Sequence, residues 1–326
     1  MSSTAFDTAI TQARDLLRWR SPLRTELWAA RLTSELEAAG QAAEFLRRAA
    51  DDGGQEARLA LAALAAVNGP AEAAGDDRPF TAAGGGVAES LPGWARRMGR
   101  VTGDGAWYGK ADLYGEQVLA VLAFRYDNGK EPHIVVTGID QPQGGLAVDA
   151  LVEERKFLDD LGLREADPGV VAGRVLDAFE LGDRIMGAAV ADTLPAVRPL
   201  AVARALSVPG PVRGASDDTV VAFQAVPDLP GAREAFEKLA EFVGDRPLWW
   251  SPGRVSQFLT SWLPREAILS DEAVAAMPEV VRAWTRHCGD QPAVLRQIDA
   301  DAPRLPALMA DDSLAGLGKR LAKNQP

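Results

Sequence analysis

One cysteine, two histidines and no long apolar run set the first limits on this 326-residue chain. A lone Cys288 excludes an intramolecular disulfide, which fits a reducing compartment. Together with His133 and His287 it gives three soft ligands, one short of a tetrahedral Cys/His zinc site. No apolar run approaches a membrane span. The segment Met1-Ser2-Ser3-Thr4-Ala5-Phe6-Asp7 lacks the basic and apolar regions of a signal peptide, so the expected compartment is the cytoplasm, with no membrane partner. Lysine occurs only as Lys110, Lys130, Lys156, Lys238, Lys319 and Lys323. The excess of arginine, with the alanine and glycine load, reflects a GC-rich, bacterial coding sequence rather than a function. Three motifs are also missing: a Gly-x-Ser-x-Gly elbow, a dinucleotide fingerprint and a metalloprotease helix.

What is present is a large apolar fraction and an acidic surface. Hydrophobic residues make up 47% of the chain, enough to exclude global disorder. Alanine and leucine supply most of them, which favours helix over sheet. The formal net charge is −11, so the field repels phosphate backbones and anionic lipid, and nucleic acid is not the expected partner. The basic tail around Lys319, Arg320 and Lys323 reads as a helix C-terminus carrying favourably placed cations.

The expected fold class is α+β: helix-rich, with a small antiparallel sheet built on a 117–139 hairpin and flanked by helical segments. Residues 1–67 read as an N-terminal array of three helices, with Ser21-Pro22 as one start signal and Gly40 and Gly53-Gly54 as punctuation. Leu23, Leu27, Ala30, Arg31 and Ser34 follow that start at helical spacing. Residues 68–90 carry breakers without periodicity, including Gly84-Gly85-Gly86, and read as a linker. A central α+β domain is expected over 91–245. It includes two helices over 170–206, broken near Pro195 and Pro199, and a third strand over 219–226. Residues 246–326 read as a tryptophan-containing helical segment, with Ser251-Pro252, Ser270 and Pro278 starting successive helices.

The hairpin is the most distinctive feature. Val118 to Phe124 runs into Asp127-Asn128-Gly129, a strong hairpin signal. Pro132 cannot donate at a hydrogen-bonded pair, which favours a four-residue loop, Asp127 to Lys130. Both faces of the first strand are apolar, so it should be covered on both sides. His133 and Asp140 end one extended run, too far apart to act together. Asp140 leads into a Pro/Gly loop and then an expected helix carrying Asp149 and Glu153 on one face. These three acids are the candidate ligands for a divalent cation, Mg or Ca. No other cofactor is evident. Glu154-x-Lys156 has the spacing of metal-dependent nuclease cores, but there the pair lies on a strand, and here it reads as helix.

Trp249, Trp250, Arg254 and Arg265 form the candidate partner surface, because tryptophan and arginine dominate binding hot spots. Trp249 and Trp250 cannot both face inward on one helix. His287-Cys288 reads as structural, since neighbours on a helix point about 100° apart. The leading reading is therefore a cytoplasmic protein-interaction or regulatory protein without a catalytic motif. Its competitors are a carboxylate-based, divalent-metal-dependent enzyme using Asp140, Asp149 and Glu153, and a DNA-associated regulator using Arg96, Arg97 and Arg100 or the C-terminal helices.

Overall fold

The computed structural model describes residues 3–68, 88–215, 219–289 and 291–323. Contacts group the chain into two compact units. The first comprises Met1–Gly109 and Val118–Ala215; the second comprises Lys110–Gln117 and Ser216–Pro326. The expected segments group differently. Residues 1–67 and the sheet belong to one unit, and the stretch from 219 to 245 packs in the other. The glycine triplet and most of the expected linker lie outside the described residues.

The first unit opens with four helices rather than three: α1 (Ser3–Trp19), α2 (Pro22–Ala38), α3 (Ala42–Asp52) and α4 (Gln55–Asn68). The start of α2 is as expected: Ser21 accepts from the Arg24 amide and Pro22 takes the first turn. Gly40 and Gly53 end their helices at φ values of 62° and 60°, a conformation that L side chains resist. α4 is buried on nearly every face, with Leu59, Ala60, Ala63, Leu64 and Val67 fully enclosed. It is the centre of a core that also takes in Leu91, Ala95, Met98 and Leu200. On α2 the inward face is Thr25, Glu26, Ala29, Ala30, Thr33 and Leu36, and Arg31 is exposed. That is a rotation from the stripe expected, and it brings a carboxylate into the interior.

A five-stranded antiparallel sheet follows, in the order β4-β3-β2-β1-β5. The strands are β1 (Val101–Lys110), β2 (Gln117–Tyr126), β3 (His133–Asp140), β4 (Leu146–Glu154) and β5 (Arg164–Glu165). The Asn-Gly turn joins β2 to β3, but the Tyr126 amide donates to the Lys130 carbonyl at 3.3 Å and the Gly129 amide to the Tyr126 carbonyl at 2.7 Å, so the loop closes over 127–129, one residue shorter than expected. β2 is central and covered on both faces. Val118, Ala120, Leu122, Phe124 and Tyr126 are buried on one side. Val121 and Ala123 are buried on the other with Ile134, Val136 and Leu158, beneath the turns that follow β4.

Two helices complete the unit, α5 (Pro168–Arg184) and α6 (Thr193–Ser207). The break between them is at 185–192, not near Pro195 and Pro199; Pro199 lies inside α6. Gly173 on α5 is required by a close approach: an added Cβ would lie 1.8 Å from the Val212 carbonyl oxygen. Both helices pack on β4, and α6 also packs on α2 and α4.

The second unit is helical: α7 (Thr219–Ala222), α8 (Ala232–Val243), α9 (Pro252–Gln257), α10 (Leu263–Glu266), α11 (Asp271–His287), α12 (Pro292–Asp301), α13 (Leu305–Ala310) and α14 (Leu317–Lys323). The expected strand over 219–226 is instead α7 followed by irregular chain. Among the described residues no strand lies beside its β-branched run, so packing of Phe223 against Phe236 and Trp284 decides the backbone. Pro278 lies inside α11, which Ser270 caps, rather than starting a new helix. The helical period predicts the stripes Ala232, Phe236, Leu239, Phe242 and Val255, Phe258, Leu259, Trp262. All are buried except Phe236 and Trp262, which are half-buried against the same core. A π-helical stretch, Phe258–Trp262, joins α9 to α10 just before Pro264. A proline that cannot donate to the preceding turn accounts for that irregularity.

Candidate functional site

Two clusters of charged and aromatic side chains stand out, one in each unit. The first is sealed in the core of the first unit. Glu26 of α2, Tyr126 at the end of β2, His133 at the start of β3 and Arg204 of α6 are all buried. The Glu26 carboxylate is fully used. Oε2 accepts from the Tyr126 hydroxyl and, at 2.5 Å, from Arg204 Nη2; Oε1 accepts from the Gly99 amide at 2.5 Å. Arg204 Nη2 also reaches the Tyr126 oxygen at 3.2 Å, and its Nε donates to His133 Nε2 at 3.2 Å. His133 Nδ1 lies 2.9 Å from the Glu131 carbonyl oxygen.

These contacts dictate the protonation of the histidine. A guanidinium Nε is a donor only, so His133 Nε2 must present its lone pair. A carbonyl oxygen is an acceptor only, so Nδ1 must carry the proton. Burial, reinforced by the Arg204 charge, pushes the His133 pKa down to about 4. Burial and then Glu26 push the Tyr126 hydroxyl well above the ordinary phenol range. Burial opposes the Arg204 cation, but Glu26 and Tyr126 outweigh it and hold its pKa above the usual arginine range. The residue types resemble an acid–base site, but the arrangement is spent. His133 has no lone pair left to take a proton, and Glu26 has no unused oxygen. This cluster is a structural lock joining two helices to the sheet.

The acids singled out as metal ligands do not converge. The segment carrying Asp149 and Glu153 is β4, not a helix, because it pairs with β3 along its whole length. Four residues apart on a strand, the two acids are separated by about 13 Å. Asp140 pairs with Leu146 at one end of the β3–β4 ladder, and Glu154 pairs with His133 at the other. Each acid has its own local role. Asp140 accepts from the Gln143 amide at 3.0 Å, the Thr193 hydroxyl donates to Asp149, and Glu153 is exposed. Lys156 lies past the end of β4, paired with Glu154 at 2.9 Å. Among the described residues, no group of three histidine, cysteine or acidic side chains gathers closely enough to hold an ion.

The second cluster is on the helical unit, and it divides the four tryptophan and arginine candidates. Trp250 is fully buried and its indole N–H donates to Thr285 at 2.9 Å, so it is core. Arg265 is exposed and paired with Glu266 at 2.9 Å. Trp249 and Arg254 come together, half-buried. The Arg254 guanidinium carbon lies 4.1 Å from the ring centre of Trp249 and 4.1 Å from that of Phe242. Both rings are within cation–π distance of the one guanidinium. Arg246 lies 5.8 Å from the same Trp249 ring and is paired with Asp245 at 3.3 Å.

Among the described residues, Arg254 has no carboxylate partner. Its Nη2 donates to the Phe242 carbonyl at 3.1 Å and its Nη1 to Gln257 at 3.4 Å, while Nε is buried without an acceptor. The Trp249 indole nitrogen is likewise buried and unpartnered. Burial, and after it repulsion from Arg246, pushes the Arg254 pKa down to about 10, with Asp245 acting the other way. The sequence named Trp249 and Arg254 but missed Phe242 and Arg246. Both lie on the chain just upstream of the tryptophan pair, and only the turn after α8 brings them alongside.

His287 and Cys288 do not pair. The His287 ring packs against Phe223 and Trp284, with ring centres 5.2 and 5.5 Å apart. Cys288 faces the Pro247 carbonyl oxygen, and burial pushes its thiol up to about 12, against the pull of Lys110, so it is not a thiolate nucleophile. Among the described residues, no helix is long and apolar enough to cross a membrane. Compared with family models, curated proteins and solved structures, the chain matches none of them.

Proposed function

We propose that this chain is a cytoplasmic interaction or regulatory protein that acts by binding a protein partner, with Trp249 and Arg254 at the centre of the contact. One observation carries this reading: a half-buried guanidinium within 4.1 Å of two aromatic ring centres, with no acid of its own among the described residues. Arginine and tryptophan are the side chains that most often dominate binding energy. Stacking also fixes the fork before a partner arrives, so little rotamer entropy remains to be lost on binding. The other cluster supports the same reading by default, because every group able to move a proton there is already occupied.

Affinity capture with the full chain tests this reading. Wild type should retain a partner that Trp249→Ala and Arg254→Ala each lose, while Arg265→Ala keeps it. Capture that is unchanged in both variants, or no captured partner, removes the reading.

A further inference from the structure

Resting on that reading, we infer that the Arg254 edge receives a single carboxylate, an Asp or Glu side chain set in an otherwise uncharged segment of the partner protein. The argument begins with the hydrogen-bond count. A guanidinium carries five N–H groups. The Nε–H is shielded, one N–H of Nη2 goes to the Phe242 carbonyl and one of Nη1 goes to Gln257. One N–H on each terminal nitrogen is left, which is what the two oxygens of one carboxylate accept in a fork.

Charge selects among anions. Around the Trp249 ring are the guanidiniums of Arg254 and Arg246, the latter paired with Asp245, so the nearby charge is cationic but partly neutralised. A single guanidinium without an acid suits a singly charged carboxylate better than a doubly charged phosphoryl group. The chain as a whole carries a net charge of −11, which repels a polyanion at long range but tolerates one acid docked against a local cation. Beside Arg254, Trp249 is half-buried, and its ring gives the residue next to the acid an apolar floor.

Titration calorimetry on the full chain tests the inference with four probes. These are a short capped peptide with one Glu beside a Leu, its Gln counterpart, the same peptide with phosphoserine in place of Glu, and inorganic phosphate. The Glu peptide should bind, and the Gln peptide should bind at least about tenfold more weakly. Arg254→Lys, which keeps the charge but removes the fork, should weaken the Glu peptide by a similar factor without affecting the Gln peptide. Arg246→Gln should weaken it only a few-fold.

Equal binding of the Glu and Gln peptides, or a preference for the phosphoserine peptide or phosphate, overturns the carboxylate assignment. The partner surface still stands in either case if Trp249→Ala abolishes capture. Failure of all four probes also overturns the assignment. The partner reading falls with it only if capture is insensitive to Trp249→Ala as well.

Discussion

Arg204 and Arg254 solve the same problem in opposite ways. Each takes a guanidinium out of water against aromatic rings: Arg204 lies 5.7 Å from the Tyr126 ring centre, and Arg254 lies 4.1 Å from two. Arg204 is fully enclosed and brings its counter-charge with it. Glu26, Tyr126 and His133 use its donors, and the Gly99 amide completes the carboxylate. Arg254 is only half enclosed and lies beside two rings, but has no acid among the described residues. A buried cation that brings its own carboxylate with it is architecture. A partly buried cation without an acid among the described residues is what the proposed partner contact rests on, because an unmet donor costs about 1–3 kcal/mol where water is excluded.

The comparison is easiest to break at Arg204. Replacing one member of a buried pair strands the other, so Arg204→Met or Glu26→Leu should each destabilise by about 3–5 kcal/mol. The combined Glu26→Leu/Arg204→Met variant should recover most of that loss. Urea unfolding midpoints check both statements. A double variant as unstable as either single one would show that the pair stabilises through its own attraction rather than by mutual compensation.

The next effect is a pH dependence. His133 stays neutral in the folded state until about pH 4, whereas in the unfolded chain it protonates near its ordinary 6.5. Between those values the unfolded state binds the extra proton. Stability should therefore be full above pH 6.5 and should fall by about 3 kcal/mol as pH drops toward 4. His133→Asn should flatten that segment of the stability–pH curve. An unchanged slope would assign the dependence to other groups.

The smallest effect is expected at Arg254. Arg254→Met keeps much of the packing and loses the cation–π contacts, so stability should change by about 1 kcal/mol. A loss as large as that of Arg204→Met would mean that Arg254 is also architecture, and the contrast between the two arginines would disappear.

Much of the second-unit site was legible in the sequence, and almost none of the first-unit lock was. Trp249 and Arg254 stand out because the Ser251-Pro252 start places Arg254 in the first turn of a helix just after the tryptophan pair. Phe242 comes from the stripe of α8, which the period of 3.6 also marks. Glu26 gave no such signal. A glutamate among Leu23, Leu27 and Leu36 reads as the solvent side of an amphipathic helix, and only Arg204, 178 residues away, makes its burial possible. The misread elements have a shared cause. The 146–154 and 219–226 runs suit either state locally. The first became a strand because β3 lay beside it, and the second became a short helix and irregular chain because no strand did.

Short-range chemistry was enough to determine the helix starts at Ser21-Pro22 and Ser251-Pro252, the Asn-Gly hairpin, the two-sided burial of β2 and the helix-rich α+β class. Caps, turn residues and apolar periods act within a few residues and need no distant partner. Tertiary structure alone decided which charges went inside. A charge can leave water only where its partners arrive with it, and those partners come from helices and strands far apart along the chain. For the same reason it took the packed structure to distinguish the arginine that carries its own acid from the one that does not.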